Sequence, residues 1–350
     1  MGELDQLVRK TIRDLKPYSS AREEFSGAEA VFLDANENPF GTLNRYPDPF
    51  QKELKGAFSE RYQIDSSKLF IGNGSDEIID LVFRVFCEGK QDKALCFSPT
   101  YGMYEVVAAI HQVALIQCPL DADFEIDLDT LQPHLQDSDL KLLLLCSPNN
   151  PTGNCISESL LRSILDDFKG IVLVDEAYID FAPECSMLGL LDDYERLILC
   201  RTMSKAWGLA SARIGWAIAD ERMIAYLNKV KPPYNISLLN QEAAILALKH
   251  GDVFEENRKA ILQEREALVK ALSTLPYVKK IYPSQANFLL VEMEDAAAVY
   301  QHLVSKKIIV RNRSQQIANC LRISIGTQAE NEVLIAALKE WNNEKSTFYR

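Results

Sequence analysis

The amino-acid sequence predicts an α/β protein: a mostly parallel sheet with helices on both faces, followed by a smaller α+β unit. Three observations carry that prediction. Short continuous apolar runs at Ala94–Phe97, Leu142–Cys146, Ile171–Val174 and Leu197–Leu199 have the composition of strands covered on both faces. Stretches with apolar residues at the 3.6-residue period alternate with these runs from about residue 70 to residue 220, which is the βα order of a doubly covered sheet. Beyond residue 287 the order changes to strand, helix, strand, strand, helix, and a second unit is expected there.

The first 25 residues read as an arm, with Leu4, Leu7, Val8 and Ile12 on one face of a short helix. Val31–Leu33 reads as a short strand running into the polar loop Asp34–Gly41, and Arg45–Pro49 as a rigid turn. Ile71–Glu77 holds two glycines ahead of a helix whose apolar positions, Ile78, Leu81, Val82, Val85 and Phe86, share a face. Free N–H groups and the dipole at such a helix start favour an anion, although a glycine-rich turn is also an ordinary cap. The strand at 94–97 leads into Ser98–Tyr104 and a helix from Glu105 to Ile110. The strand at 142–146 leads into Ser147–Gly153, after which Ser157 caps a helix carrying Leu160, Leu161, Ile164 and Leu165. The strand at 171–174 ends in Asp175–Tyr178, and that at 197–199 runs on into Cys200–Lys205. Ala210–Ala217 reads as a short strand carrying one arginine, Arg213. Residues 237–249 and 252–275 read as helices, the second long enough to bridge two units. Asn287–Val291, Ile308–Val310 and Cys320–Ile325 read as strands, Ala296–Ser305 and Glu330–Trp341 as helices. The expected division is an arm at 1–25, a large cofactor-binding domain at 26–251 and a small domain at 252–350.

Composition narrows the function. With 47% apolar and 25% charged residues over 350 positions, the chain is that of a soluble globular protein. A net charge of −12 without any basic stripe argues against a nucleic-acid partner. The apolar runs are too short to span a bilayer, and Met1–Asp5 lacks the basic-then-apolar pattern of a leader, so no membrane partner is expected. Eight cysteines without a CxxC pair predict a reducing, cytoplasmic compartment, and four scattered histidines predict no metal site.

Candidate groups collect at the predicted strand ends, where open α/β sheets place their chemistry. They are the anion cradle Gly74-Ser75-Asp76, the flat ring of Tyr101, the amide Asn150, the acid Asp175 with Tyr178, the lysine Lys205 and the arginine Arg213. A crowded lysine has a lowered pKa and attacks carbonyls; taken alone, Lys205 reads rather as a solvated loop residue, and the strand-end motifs upstream lift it above that reading. A buried acid is either paired or functional. Together the set meets the needs of pyridoxal phosphate: a lysine for the aldehyde, an acid for the ring nitrogen, an anion site for the phosphate, donors for the phenolate oxygen and a ring to stack on.

The stretches Leu33–Pro39, Tyr46–Asp48, Gly72–Glu77, Pro99–Tyr104, Ser147–Gly153, Val174–Tyr178, Thr202–Lys205 and Cys320–Ile323 resemble the fold-type I, class I/II aminotransferases, and the resemblance covers nearly the whole chain. Asn150-Pro151-Thr152-Gly153 and Ser204-Lys205 mark the superfamily. Asn36-Glu37-Asn38-Pro39, Tyr46-Pro47-Asp48 and Thr100-Tyr101-Gly102-Met103-Tyr104 are similar to the branch that acts on histidinol phosphate. The resemblance implies an aspartate aminotransferase-like fold with a mostly parallel, seven-stranded type of sheet. It implies that Lys205 holds the cofactor and later moves a proton, and that Asp175 pairs with the ring nitrogen. It also implies that Asn150 and Tyr178 donate to the phenolate oxygen, that Tyr101 stacks on the ring, and that Ser75, Asp76, Thr202, Ser204 and Arg213 surround the phosphate. Tyr46 is implied to come from the partner subunit of a homodimer. Arg322, with Arg311, Tyr18 and Asn36, is implied to bind substrate, and Arg313 lies close enough in sequence to share the part given to Arg311. The implied reaction converts L-histidinol phosphate and 2-oxoglutarate into imidazole acetol phosphate and L-glutamate, a step of histidine biosynthesis. An aromatic amino acid aminotransferase or a threonine-phosphate decarboxylase of the same fold is the alternative.

Overall fold

The structure is a computed structural model and describes residues 3–17 and 31–348. Its first sheet is built from β1 (Leu69–Asn73), β2 (Lys93–Ser98), β3 (Ala114–Pro119), β4 (Leu140–Cys146), β5 (Ile171–Asp175), β6 (Leu197–Thr202) and β7 (Ile214–Ile218), in the order β1-β7-β6-β5-β4-β2-β3. All pairings are parallel except those of β7, which runs against both of its neighbours. β5 and β6 are buried along their whole lengths. Their alternate residues therefore feed two cores. Val172, Val174, Leu197 and Leu199 pack with helices Lys52–Tyr62, Glu158–Asp167 and Leu238–Lys249 on one face. Ile171, Leu173, Ile198 and Cys200 pack with helices Ser75–Phe86, Met103–Ile110 and Glu221–Val230 on the other. The N-terminal arm forms two short helices, Glu3–Leu7 and Lys10–Arg13. Leu4 and Val8 sink into that second core, and Arg9 ties the arm down through its N–H to Val85 O (3.0 Å) and its guanidinium to Glu88 (2.9 Å).

The second sheet holds β8 (Val278–Ile281), β9 (Phe288–Met293), β10 (Arg311–Asn312) and β11 (Cys320–Ser324), all antiparallel, in the order β10-β11-β9-β8. Its core of Leu289, Val291, Leu303, Leu321 and Leu338 is separate from the first two. Helix Gly251–Leu272 joins them. Its Phe254 stacks on Trp207 at 4.0 Å in the first core, while Leu268 and Leu272 belong to the third. The division proposed at 251/252 puts this whole helix in the small domain.

Three expected strands differ. Val31–Leu33 forms none: Val31 and Leu33 are 87% and 89% exposed, and among the described residues no strand pairs with them. Ala210–Ala212 is a 3₁₀ turn and Arg213 takes a left-handed φ of 52°, because the β6–β7 ladder ends at Thr202↔Gly215 and nothing pairs with the residues before it. Ile308–Val310 is irregular; its ladder on β11 begins only at Arg311↔Arg322.

Candidate active site

The carboxyl ends of the first sheet surround a cavity of about 130 Å³. One wall is the turn from β1 into helix Ser75–Phe86. Gly74 has φ 78°, and a Cβ there would stand 2.6 Å from Arg213 Nη2; a Cβ on Gly215 would stand 2.4 Å from Ser75 N. Only glycine lets β7, Arg213 and the helix start approach so closely. The free amides of that helix start, with Arg213, make a positive corner. Ser204 closes it, 3.4 Å from Arg213 Nη1, and is itself held by Thr202 Oγ1, which accepts the Ser204 N–H at 3.1 Å.

Aromatic hydroxyls line the next side. Tyr101 donates to Asp76 Oδ1 at 2.9 Å, and Asp76 Oδ2 lies 3.5 Å from Arg213. Tyr104, edge-on to Tyr101, donates to Asp175 Oδ2 at 2.9 Å. Asp175 is the last residue of β5 and is buried. Burial pushes its carboxyl up to about 6, against the opposing pull of the Tyr104 hydroxyl and the Ala177 N–H. Among the described residues no cation lies within ion-pair distance of it.

Lys205 stands three residues past the end of β6. It is exposed to the cavity rather than buried. The surrounding walls still desolvate its ammonium and hold its pKa below the usual lysine range; Arg322 adds to that effect, while Asp175 and Asp76 oppose it. Its Nζ is 5.6 Å from the centre of the Tyr178 ring, which packs edge-on against Phe288 of β9 at 5.1 Å.

The second sheet does not line this cavity but stands against two residues that do, Asn150 and Tyr178. Arg322 of β11 lies over Phe288 and donates through Nη1 to Asn150 Oδ1; Arg313 Nη2 reaches the same oxygen at 3.5 Å. The Nε atoms of both arginines are buried and, among the described residues, have no partner. Burial and the neighbouring guanidiniums push Arg313 down to about 10 and lower Arg322 as well. Arg311 sits opposite Arg322 in register, with an exposed side chain. Positive groups gathered this way, with buried donors unspent, form a site for an anion. The Asn150 turn is pinned to the same unit, since Gly153 O accepts from Gln285 N at 2.7 Å.

Ser75, Asp76, Tyr101, Asn150, Asp175, Tyr178, Thr202, Ser204, Lys205 and Arg213 thus meet round one cavity. Asn36 and Tyr46 line a different one, of about 390 Å³, where Tyr46 stacks on Tyr234 at 4.4 Å. Tyr18 lies outside the described residues. Sequence reasoning missed Tyr104 and Cys146. Tyr104 follows Tyr101 by three residues, the spacing of neighbours at a helix start. Cys146 lines the cavity at a strand end, in register with Asp175. Among the described residues no cluster of three or more His, Cys, Asp or Glu is placed to hold a metal ion.

Fold and cavity together define a class of protein: an open α/β fold with a lysine just past a strand end, a residue type able to attack carbonyls, between a glycine turn with Arg213 on one unit and Arg313 and Arg322 on the other. The sequence profile of aminotransferase class I and II matches residues 21–338. Histidinol-phosphate aminotransferase of Cytophaga hutchinsonii is 47% identical over 97% of this chain and 99% of its own length. The enzyme of that name from Bacteroides fragilis is 47% identical over 97% and 100%. Among solved structures, histidinol-phosphate aminotransferase from Clostridium acetobutylicum aligns with a TM-score of 0.80 at 26% identity, over 86% of this chain and 92% of that one. The Sinorhizobium meliloti enzyme, solved in complex with pyridoxal-5'-phosphate, aligns with a TM-score of 0.78 at 26% identity, over 86% and 83%. The chain belongs to the class I and II aminotransferases.

Proposed function

We infer that this enzyme moves the amino group between L-histidinol phosphate and 2-oxoglutarate, with pyridoxal phosphate as its cofactor. The observation that carries this reading is the meeting of Arg322 and Arg313 on the Asn150 amide, which lines the cavity with Lys205; among the described residues the buried Nε of each finds no partner. Both proposed substrates are anions, one a phosphate and one a carboxylate, and a guanidinium grips either with paired charge-assisted bonds. The relatives above carry the same name over nearly the full chain.

The cavity's chemistry fits the cofactor on observations independent of any relative. Asp175 is a buried carboxylate lacking a cation, and a protonated ring nitrogen is one. The Gly74–Ser75 turn with Arg213 and Ser204 is a cradle that a Cβ would fill, and a phosphate suits it. Bound there, the cofactor supplies an electron sink for the bond broken at the amine-bearing carbon. Asp175 keeps the ring nitrogen protonated. Asn150 and Tyr178 donate to the phenolate oxygen, Tyr101 packs on the ring, and the Ser75 and Asp76 amides, Thr202, Ser204 and Arg213 hold the phosphate. Lys205, whose ammonium is disfavoured by the desolvating walls, carries the proton at Nζ. Arg322, Arg313 and Arg311 orient the substrate's acidic group.

We also propose a two-fold dimer. Val31, Leu33, Phe40, Leu43 and Leu239 are exposed apolar side chains near the cavity that Tyr46 and Asn36 line, and such a patch marks an interface. The partner subunit's Tyr46 then completes the site beside Lys205. The eight free cysteines suit a reducing cytoplasm.

The test is a donor screen of the cofactor-loaded enzyme with 2-oxoglutarate. Histidinol phosphate should yield glutamate far faster than phenylalanine does. Phosphothreonine should release no carbon dioxide. A preference for phenylalanine, or decarboxylation of phosphothreonine, overturns the substrate assignment. Borohydride followed by peptide mapping should fix the cofactor to Lys205; a different lysine overturns the site.

A further inference from the structure

Behind the cavity, on the opposite face of the sheet, lies a second ionic group that takes no part in the chemistry above. Along β5 and β6 the side chains alternate, so Asp175 and Thr202 face the cavity while Glu176 and Arg201 face the other core. Glu176 Oε2 accepts from Arg201 Nε at 2.8 Å, and both side chains are buried, at 0% and 5% exposure. The other carboxylate oxygen accepts the Met187 N–H at 2.7 Å, and Arg201 Nη2 donates to Ser186 Oγ at 2.7 Å. Arg201 also lies over the Tyr62 ring at 5.6 Å and faces the buried acid Asp180. The backbone ladder between the two strands ends one bond beyond Asp175↔Cys200, at Glu176 N to Cys200 O, 2.7 Å. The ion pair is therefore a further rung, made of side chains, where the sheet itself stops.

We propose that Glu176 and Arg201 are positioning residues, which hold the Asp175 carboxylate and the Lys205 turn in one fixed relation across the β5–β6 gap. Glu176 is one residue from Asp175 and two from Tyr178; Arg201 is one residue from Thr202 and four from Lys205. A buried pair of this kind contributes little net stability compared with well-packed apolar residues. What it fixes is geometry: a carboxylate with both oxygens engaged, Oε2 by Arg201 and Oε1 by the Met187 N–H, cannot slide along the strand without breaking both contacts. The loop 176–187 and the lysine turn have no mutual backbone ladder beyond this point, so the pair sets how far the acid stands from the amine.

The proposal rests on the cofactor reading, and the experiment separates the two. The variants are Glu176→Gln, Arg201→Lys and the apolar double replacement Glu176→Leu with Arg201→Met. Three quantities are measured on the cofactor-loaded enzyme: the pH midpoint of the visible absorption of the lysine-bound cofactor, kcat and KM for both substrates, and the unfolding temperature. Glu176→Gln should move the spectral midpoint by about half a pH unit or more and lower kcat by about tenfold. KM should stay within about twofold, since the clamp arginines belong to the other sheet. Arg201→Lys should shift the same quantities less, because it keeps the charge and loses the fork. The double replacement should restore the unfolding temperature but not the midpoint. Variants with unchanged midpoint and kcat, differing only in unfolding temperature, overturn the proposal. Wild-type protein that gains no visible band with pyridoxal phosphate overturns the cofactor reading, and the proposal with it.

Discussion

At the scale of single residues, Asp175 holds an energetic tension. Its carboxyl is pushed up to about 6 by burial, against an ordinary value near 3.8. An acid raised in the folded state favours folding while protonated; that contribution is complete below the unfolded pKa and is lost as pH rises through the folded one. For the cofactor-free protein the loss between about pH 4 and about pH 7 is on the order of 3 kcal/mol. Asp175→Asn should therefore unfold at higher temperature than wild type at neutral pH without cofactor, the gap closing towards pH 4, and should lose turnover by orders of magnitude once cofactor is added. Calorimetry across pH, with and without pyridoxal phosphate, measures both; equal stability of the two proteins at neutral pH would show that Asp175 costs nothing unpaired. At this scale the sequence was most legible where candidates read at successive strand ends meet round one cavity, as with Lys205, Asp175 and Arg213. It was least legible for Tyr104 and Arg313, whose value lies in what they touch, Asp175 and Asn150. Those partners are 71 and 163 positions away, a distance no spacing rule covers.

At the scale of elements, the cradle depends on one turn. Gly74 combines a left-handed φ with a side-chain-free approach to Arg213. Alanine there meets both a strained backbone and a guanidinium 2.6 Å away. Such strain is worth about 1–3 kcal/mol, and every 1.4 kcal/mol is about tenfold in affinity. Gly74→Ala should thus weaken cofactor binding by about tenfold or more while leaving the sheet intact, as equilibrium dialysis and far-ultraviolet circular dichroism would show; unchanged affinity would mean that the turn is not the cradle. Elements were legible wherever burial on both faces left an apolar run, as in β4, β5 and β6. β3 and β8 escaped because edge strands are half-exposed and carry residues such as Gln117, Lys279 and Lys280. Val31–Leu33 misled for the opposite reason: an apolar run that is exposed and, among the described residues, pairs with no strand.

At the scale of the whole molecule, the proposed dimer makes a prediction that no single-chain reading shares. If the partner subunit's Tyr46 completes each site, Tyr46→Phe and Lys205→Ala subunits are each impaired but complementary. Mixed and re-annealed, they should form heterodimers with one intact site, and activity should exceed the sum of the two separate proteins. No gain on mixing, with mixed dimers confirmed by mass, would place Tyr46 outside the active site.

Helix Gly251–Leu272 has a mechanical meaning in this setting. Its foot, Phe254, rests on Trp207, two residues from Lys205, and its far end is built into the core that holds the β11 residues flanking Arg322. Fourteen residues of helix make a lever about 21 Å long. Tilting it by about 5° carries the far end about 2 Å, enough to break or make a guanidinium contact. If the second-sheet arginines hold substrate as proposed, substitutions at the Trp207–Phe254 stack should alter KM for both substrates.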